Sequence, residues 1–131
     1  MSAKQNVELV KTYMEARRHG NLDTALEMLT DDITHTFMFD MPGVRSEWRG
    51  KEGITEFTAH VKRMLPQGSK IEIKRIHATD DSVVVESVNS GKAHNGKDYS
   101  NKYCFIYEIK NGKIKAIREY TDSHYSIENL S

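Results

Sequence analysis

Apolar side chains recur at intervals of three and four residues through the first half of the chain and at alternate positions through the second. Val7, Val10, Tyr13, Met14 and Arg17 form one stripe, which predicts an amphipathic helix from Gln5 to His19. Gly20 suits the left-handed end of that helix, and Asn21 can cap the next one. The second stripe is Leu22, Ala25, Leu26 and Leu29, ended near Thr30-Asp31-Asp32. From Ile33 to Asp40 the period shortens to two, with Phe37 and Phe39 on one face, and this predicts a strand closed by Met41-Pro42-Gly43. Helical spacing returns from Gly50 to Leu65 through Ile54, Phe57, Thr58, Val61 and Met64, until Pro66 and Gly68 stop it.

The second half reads as a meander. Strands are predicted over Lys70–Thr79 and Ser82–Ala93, joined by an Asp80-Asp81 turn. Asn95-Gly96 and Asn111-Gly112 are tight hairpin signals on either side of a long strand. Tyr99, Asn101, Tyr103, Phe105, Tyr107 and Ile109 share one face of that strand, and Ile114 to Asp122 forms the last one. No repeat, low-complexity stretch or linker divides the chain, so residues 1–131 are read as a single domain. Helices followed by a mostly antiparallel sheet make an α+β plan. A strongly curved, cone-shaped sheet with the three N-terminal-half helices over its concave face would leave an apolar cavity. Curvature needs bulges, and the slipped alternation at Ile73-Lys74-Arg75-Ile76 is compatible with one.

Composition narrows the partners. Lys+Arg and Asp+Glu are 19 each, a net charge of zero, without the basic excess that phosphate neutralisation requires. No nucleic acid is expected. No apolar run approaches the roughly 18 residues of a membrane span, and the residues before Val7 are polar, so the expected address is the cytoplasm and no membrane partner is expected. Cys104 is the only cysteine and permits no intrachain disulfide or CxxC motif. The six histidines are widely spaced, with neither HxH nor HExxH, so no metal site is expected. No cofactor motif is present, and the expected partner is a small apolar ligand or another protein.

Several motifs follow one another in a familiar order: Tyr13, Gly20-Asn21-Leu22-Asp23, Asp31-Asp32, Trp48-Arg49-Gly50, Asn101-Lys102-Tyr103, Gly112-Lys113-Ile114 and Arg118-Glu119-Tyr120-Thr121-Asp122. Over nearly its whole length the chain resembles the nuclear transport factor 2-like superfamily, in particular its SnoaL-like and steroid delta-isomerase-like branches. The resemblance implies a cone-shaped (cystatin-like) α+β fold that hosts isomerases, cyclases, dehydratases and non-catalytic binders. It matches the isomerases' helix-one tyrosine, an oxyanion donor, to Tyr13. Counting from Gly20 puts Phe37 where those enzymes carry a catalytic aspartate; Asp40 would substitute only through a bulge or a shifted alignment. The second oxyanion donor falls at Tyr103 or Phe105. Among SnoaL-like enzymes an acidic residue near the Arg-Glu-aromatic segment takes part in acid–base chemistry, and Glu119 matches it.

Alternation puts Ile117, Glu119 and Thr121 on the pocket side of the last strand, and His35 on the face of Phe37 and Phe39. A His and a Glu facing one apolar cavity could exchange protons near neutral pH. The candidate catalytic residues are therefore His35, Glu119, Tyr13 and Asp40. The candidate ligand contacts are Phe37, Trp48, Phe57, Asn101, Tyr103, Phe105, Ile117 and Thr121. Bland roles stand beside these: a core tyrosine at 13, a structural histidine at 35, a buried pair of Glu119 with Arg45 or Arg49, a turn residue at 40, packing at Trp48, and a bent-strand tie at Asn101. Two classes of function remain open, a cofactor-free acid–base enzyme acting on a polyketide-, terpenoid- or steroid-like ring, and a non-catalytic binding or interaction module. The opposite sheet face, with Lys102, Cys104, Ile106, Arg118, Tyr120 and Asp122, is too apolar to stand wholly in water and predicts a homodimer.

Overall fold

A computed structural model describes residues 2–131. Helix α1 (Ala3–Arg18) begins two residues before its predicted start because Ser2 and Gln5 form a capping box: Ser2 Oγ accepts from Gln5 N and Gln5 Oε1 accepts from Ser2 N. Helix α2 (Leu22–Glu27) stops short of the predicted Leu29. Leu29 is buried, but as the first residue of strand β1 (Leu29–Phe37), which starts earlier and ends earlier than the Ile33–Asp40 expectation. The error has a simple cause. Leu29 and Ile33 are four apart and fit a helical stripe as well as an inward strand face.

Strand β2 (Glu47–Arg49) has no counterpart in the sequence reading, since three residues are too few to show alternation. Helix α3 (Gly50–Met64) follows, with Phe57, His60, Val61 and Met64 on one side. Strands β3 (Lys70–Ala78), β4 (Ser82–Lys92), β5 (Asp98–Lys110) and β6 (Lys113–Thr121) then form the meander, each within a residue or so of its predicted bounds. A fourth helix, α4 (Ser123–Leu130), was not predicted. Asp122, read as the end of the last strand, is its N-cap and accepts from Tyr125 N at 3.1 Å.

The six strands form one sheet in the order β2-β1-β6-β5-β4-β3, antiparallel except for the parallel β1–β6 pair. The register of β3 on β4 shifts between Ile73 and Arg75, where the alternation slips in the sequence. Tyr13 of α1 packs edge-on against Tyr107 of β5, and Phe57 of α3 packs against Phe37 and His35 of β1, so both long helices lie on the same sheet face. The main core fills that layer with Val10, Tyr13, Leu29, Ile33, Ile54, Val83, Val85, Ile114 and Ile117. A second cluster of Phe37, Trp48 and Phe57 lies beside it. No helix among the described residues is long and apolar enough to cross a membrane.

Candidate functional site

Strand register brings the site together. Residues paired across neighbouring strands point to the same sheet face, so they form rows. One row runs Tyr107–Ile117–His35–Trp48 across β5, β6, β1 and β2. The adjacent row runs Phe105–Glu119–Phe37. His35 and Glu119 are therefore diagonal neighbours on adjacent strands, though 84 positions apart in sequence. His35 Nε2 lies 2.8 Å from Glu119 Oε1. His35 is 2% exposed and Glu119 7%.

Above these rows lies a cavity of about 190 Å³. The sheet contributes His35, Phe37, Tyr103, Phe105, Tyr107 and Glu119 to it, α1 contributes Tyr13, Met14 and Arg17, and α3 contributes Phe57, His60 and Met64. The His35 ring sits against Phe57 at a centroid distance of 4.2 Å, while Tyr103 and Phe105 stack at 5.5 Å. The walls are mainly aromatic and aliphatic, and the charged groups are few.

Burial governs the titratable groups. It lowers the His35 pKa below the usual imidazole value; the hydrogen bond and charge of Glu119 oppose this without overcoming it, and Arg17 adds to the lowering. With His35 neutral, its Nε2–H donates to Glu119, which fixes the tautomer and leaves Nδ1 as a lone-pair acceptor. That Nδ1 is buried and has no partner among the described residues. Burial also raises the Tyr103 pKa well above the phenol value, and Glu119 raises it further. Tyr107 is raised as well, first by burial and then by Tyr13. Both phenols stay protonated at neutral pH, so they can donate or accept hydrogen bonds but do not act as phenolate bases. His60 is lowered, by burial and by Arg63.

Seven of the predicted site residues line the cavity: Tyr13, His35, Phe37, Phe57, Tyr103, Phe105 and Glu119. Five do not. Asp40 is exposed and lies beyond the end of β1, because the strand stops at Phe37 and the chain turns through Phe39. Trp48 is buried behind Phe57, at a centroid distance of 5.4 Å, with the Arg45 guanidinium 3.9 Å over its outer face. Ile117 is a core residue between Tyr107 and His35. Thr121 donates its hydroxyl proton to the Lys102 carbonyl at 2.7 Å. Asn101 is 5% exposed and serves as a tie: its Nδ2 lies 3.0 Å from Tyr99 Oη, Ser126 Oγ and the Asp122 carbonyl. The alternative pairing of Glu119 with Arg45 or Arg49 does not occur, since those two face Glu56 and Glu47.

Arg17 is the residue that sequence reasoning passed over. It stood in the first apolar stripe, four positions after Tyr13, and a guanidinium on an apolar stripe was itself a signal. It lies 4.9 Å over the Phe57 ring and 5.7 Å from the Tyr13 ring. Among the described residues, no group of three or more His, Cys, Asp or Glu is arranged to hold a metal ion.

A family model for the SnoaL-like domain matches residues 10–117. The chain belongs to the SnoaL-like domain family. A search of the curated proteins found no match. Solved structures of this SnoaL-like fold align over nearly the whole chain. A nuclear transport factor 2-like protein of unknown function from Burkholderia pseudomallei superposes with TM-score 0.89 at 20% identity, covering 100% of this chain and 99% of its own. TerC, co-crystallised with polyporic acid, gives 0.85 at 20% identity over 96% and 98%. A protein from Xanthomonas campestris pv. campestris, provisionally termed a polyketide cyclase, gives 0.80 at 21% identity over 100% of both chains. At these identities the likeness establishes the fold.

Proposed function

We propose that this SnoaL-like domain binds a small, largely apolar ring compound in the aromatic cavity and moves a proton on it, as a cofactor-free isomerase, cyclase or dehydratase would. The observation that carries the reading is the buried His35–Glu119 hydrogen bond at 2.8 Å in the cavity wall. An engineered cavity of about 150 Å³ holds benzene, so 190 Å³ suits a substituted ring. A fold relative co-crystallised with polyporic acid, and another provisionally termed a polyketide cyclase, agree with a ring substrate.

In this reading Glu119 is the catalytic base. His35 holds one carboxyl oxygen, and the other, Oε2, makes no hydrogen bond among the described residues. It would take a proton from the carbon beside a carbonyl. Tyr13, whose oxygen lies 3.5 Å from Arg17 Nη1, would donate to the developing oxyanion. His35 is then a positioning residue, neutral and donating. The test is a ligand screen by thermal shift, followed by incorporation of deuterium from D₂O at the α-carbon of the best carbonyl ligand. Exchange that disappears in Glu119→Gln supports the enzyme. Tight binding without exchange in the native protein leaves a binding module, the reading that the packing of His35 between aromatic rings would otherwise favour.

The uncovered face of the sheet supports a homodimer. Val84, Val88, Cys104 and Ile106 are only half-buried there and Tyr120 is 39% exposed, with no helix over them. Sedimentation giving twice the 15.0 kDa chain mass, returned to the monomer by Ile106→Glu, is the expected result; a native protein sedimenting at the single-chain mass at micromolar concentration refutes it.

A further inference from the structure

Arg17 differs from the other arginines. Only Arg118 is comparably buried, and it faces the Glu108 carboxylate. The exposed Arg18, Arg45, Arg49 and Arg75 also face carboxylates within 4.0 Å, while Arg63 has no ion pair among the described residues but stands in water. Arg17 forms no ion pair among the described residues, although it is half-buried and lines the cavity. Its hydrogen bonds are sparse. Nη2 donates to Thr58 Oγ1 at 3.2 Å and Nη1 reaches Tyr13 Oη at 3.5 Å. One hydrogen on each Nη is left uncommitted, and Nε is buried with no partner. A half-buried guanidinium whose Nε is cut off from water and whose Nη groups have hydrogens to spare is well placed to take an acceptor from a ligand.

The surroundings narrow what that something is. Phe57 and Tyr13 lie under the guanidinium, so a flat group lying along them meets its edge. Arg17 lines the same cavity as Tyr107 and the His35–Glu119 pair, which places its charge over them. Arg17 and Glu119 thus give one cavity a positive and a negative wall that are not joined to each other. A ligand with a planar anionic end at Arg17 supplies the missing acceptors, and its apolar body fills the aromatic space between Arg17 and Glu119.

We propose that the ligand is a small aromatic or enone acid whose carboxylate binds end-on to the two Nη groups of Arg17. This rests on the reading of the cavity as a ring-binding site and specifies the charge of what it binds. A planar fork matches a carboxylate with two parallel bonds, whereas a lysine offers only a point charge.

The test is a matched pair, cinnamate and cinnamamide, titrated calorimetrically into the whole protein. They share shape and ring and differ in charge. The native protein is expected to prefer the acid by about tenfold or more, the size of one charge-assisted pair. Arg17→Gln should abolish that preference while leaving the amide's affinity within about twofold, and Arg17→Lys should retain only part of it. Glu119→Gln should leave the preference intact or enlarge it, since a nearby negative charge is removed. Equal affinity for acid and amide on the native protein overturns the proposal and needs no variant. A preference that survives in Arg17→Gln, or in Arg17→Lys at full size should the Gln variant not fold, overturns it as well. If neither compound binds, the ring-binding reading falls, and the proposal with it.

Discussion

The helix-bearing face of the sheet carries two buried polar groups of residues, and they differ in how far their hydrogen bonds are met. Toward α4, Asn101, Tyr99, Ser126 and Asp122 satisfy one another: Asn101 Nδ2 reaches three acceptors, its Oδ1 accepts from Lys102 N at 2.8 Å, and Tyr99 Oη lies 2.8 Å from Ser126 Oγ. Toward β1, His35 and Glu119 share one bond, Nδ1 of His35 and Nε of Arg17 have none, and Arg17 lacks an acid. Buried polar atoms are almost always paired. The saturated group ties α4 to the sheet. The unsaturated one has capacity left for a ligand. Tyr103 joins them, its hydroxyl 2.6 Å from that of Tyr99 while its ring lines the cavity.

The contrast breaks most sharply at Glu119. Glu119→Gln keeps shape and can still accept from His35, but it is a far weaker base. α-Proton exchange should fall by about 10²–10⁴-fold, the usual contribution of a general base. The melting temperature should move by no more than about 1 kcal/mol would cause, since one bond to a neutral partner is retained. Loss of stability in proportion to loss of exchange would move Glu119 into the structural class.

Asn101→Ala is the reciprocal test. It removes the side-chain acceptor of the Lys102 amide and one partner each of Tyr99, Ser126 and the Asp122 carbonyl. Tyr99 and Ser126 keep each other, so the substitution should destabilise by about 1–2 kcal/mol. Chemical denaturation measures this. Ligand affinity per folded molecule should change far less than in Arg17→Gln, because Asn101 does not line the cavity and its partners there, Tyr99 and Ser126, keep their bond to each other. A weakened ligand with normal stability would reverse the two assignments.

Periodicity reveals faces more readily than partners. Alternation put Glu119 and His35 on inward faces, and those faces are observed. That they meet depends on β1 lying parallel to β6, with Phe37 opposite Glu119, and no local pattern states which strands pair. Asn101 also faced inward, but its saturation comes from α4, whose eight residues show too little periodicity to be seen. Arg17 was visible as an out-of-place charge. Its lack of an acid was not, since that requires knowing every neighbour. Asp40 failed for a simpler reason, because a strand ended three residues earlier than alternation suggested.

The smallest effect concerns pH, and it separates the His35 reading from its rival by sign. Burial lowers the His35 pKa in the folded protein, so between that lowered value and the unfolded value of ~6.5 the unfolded chain binds more protons. Stability is therefore full above about pH 6.5, falls as pH drops through this window, and levels off below the folded pKa. One group changes stability by at most about 1.4 kcal/mol per pH unit, and partial protonation keeps the slope below that. His60 is lowered too and contributes with the same sign, but it is present in both proteins when native is compared with His35→Gln. The difference between their denaturation free energies, followed from pH 7.5 to 5, isolates His35. The native protein should lose stability on acidification relative to the variant. A relative gain would mean that the pairing with Glu119 outweighs burial, making His35 a cation in the folded state and unable to serve as the neutral donor that holds Glu119 ready.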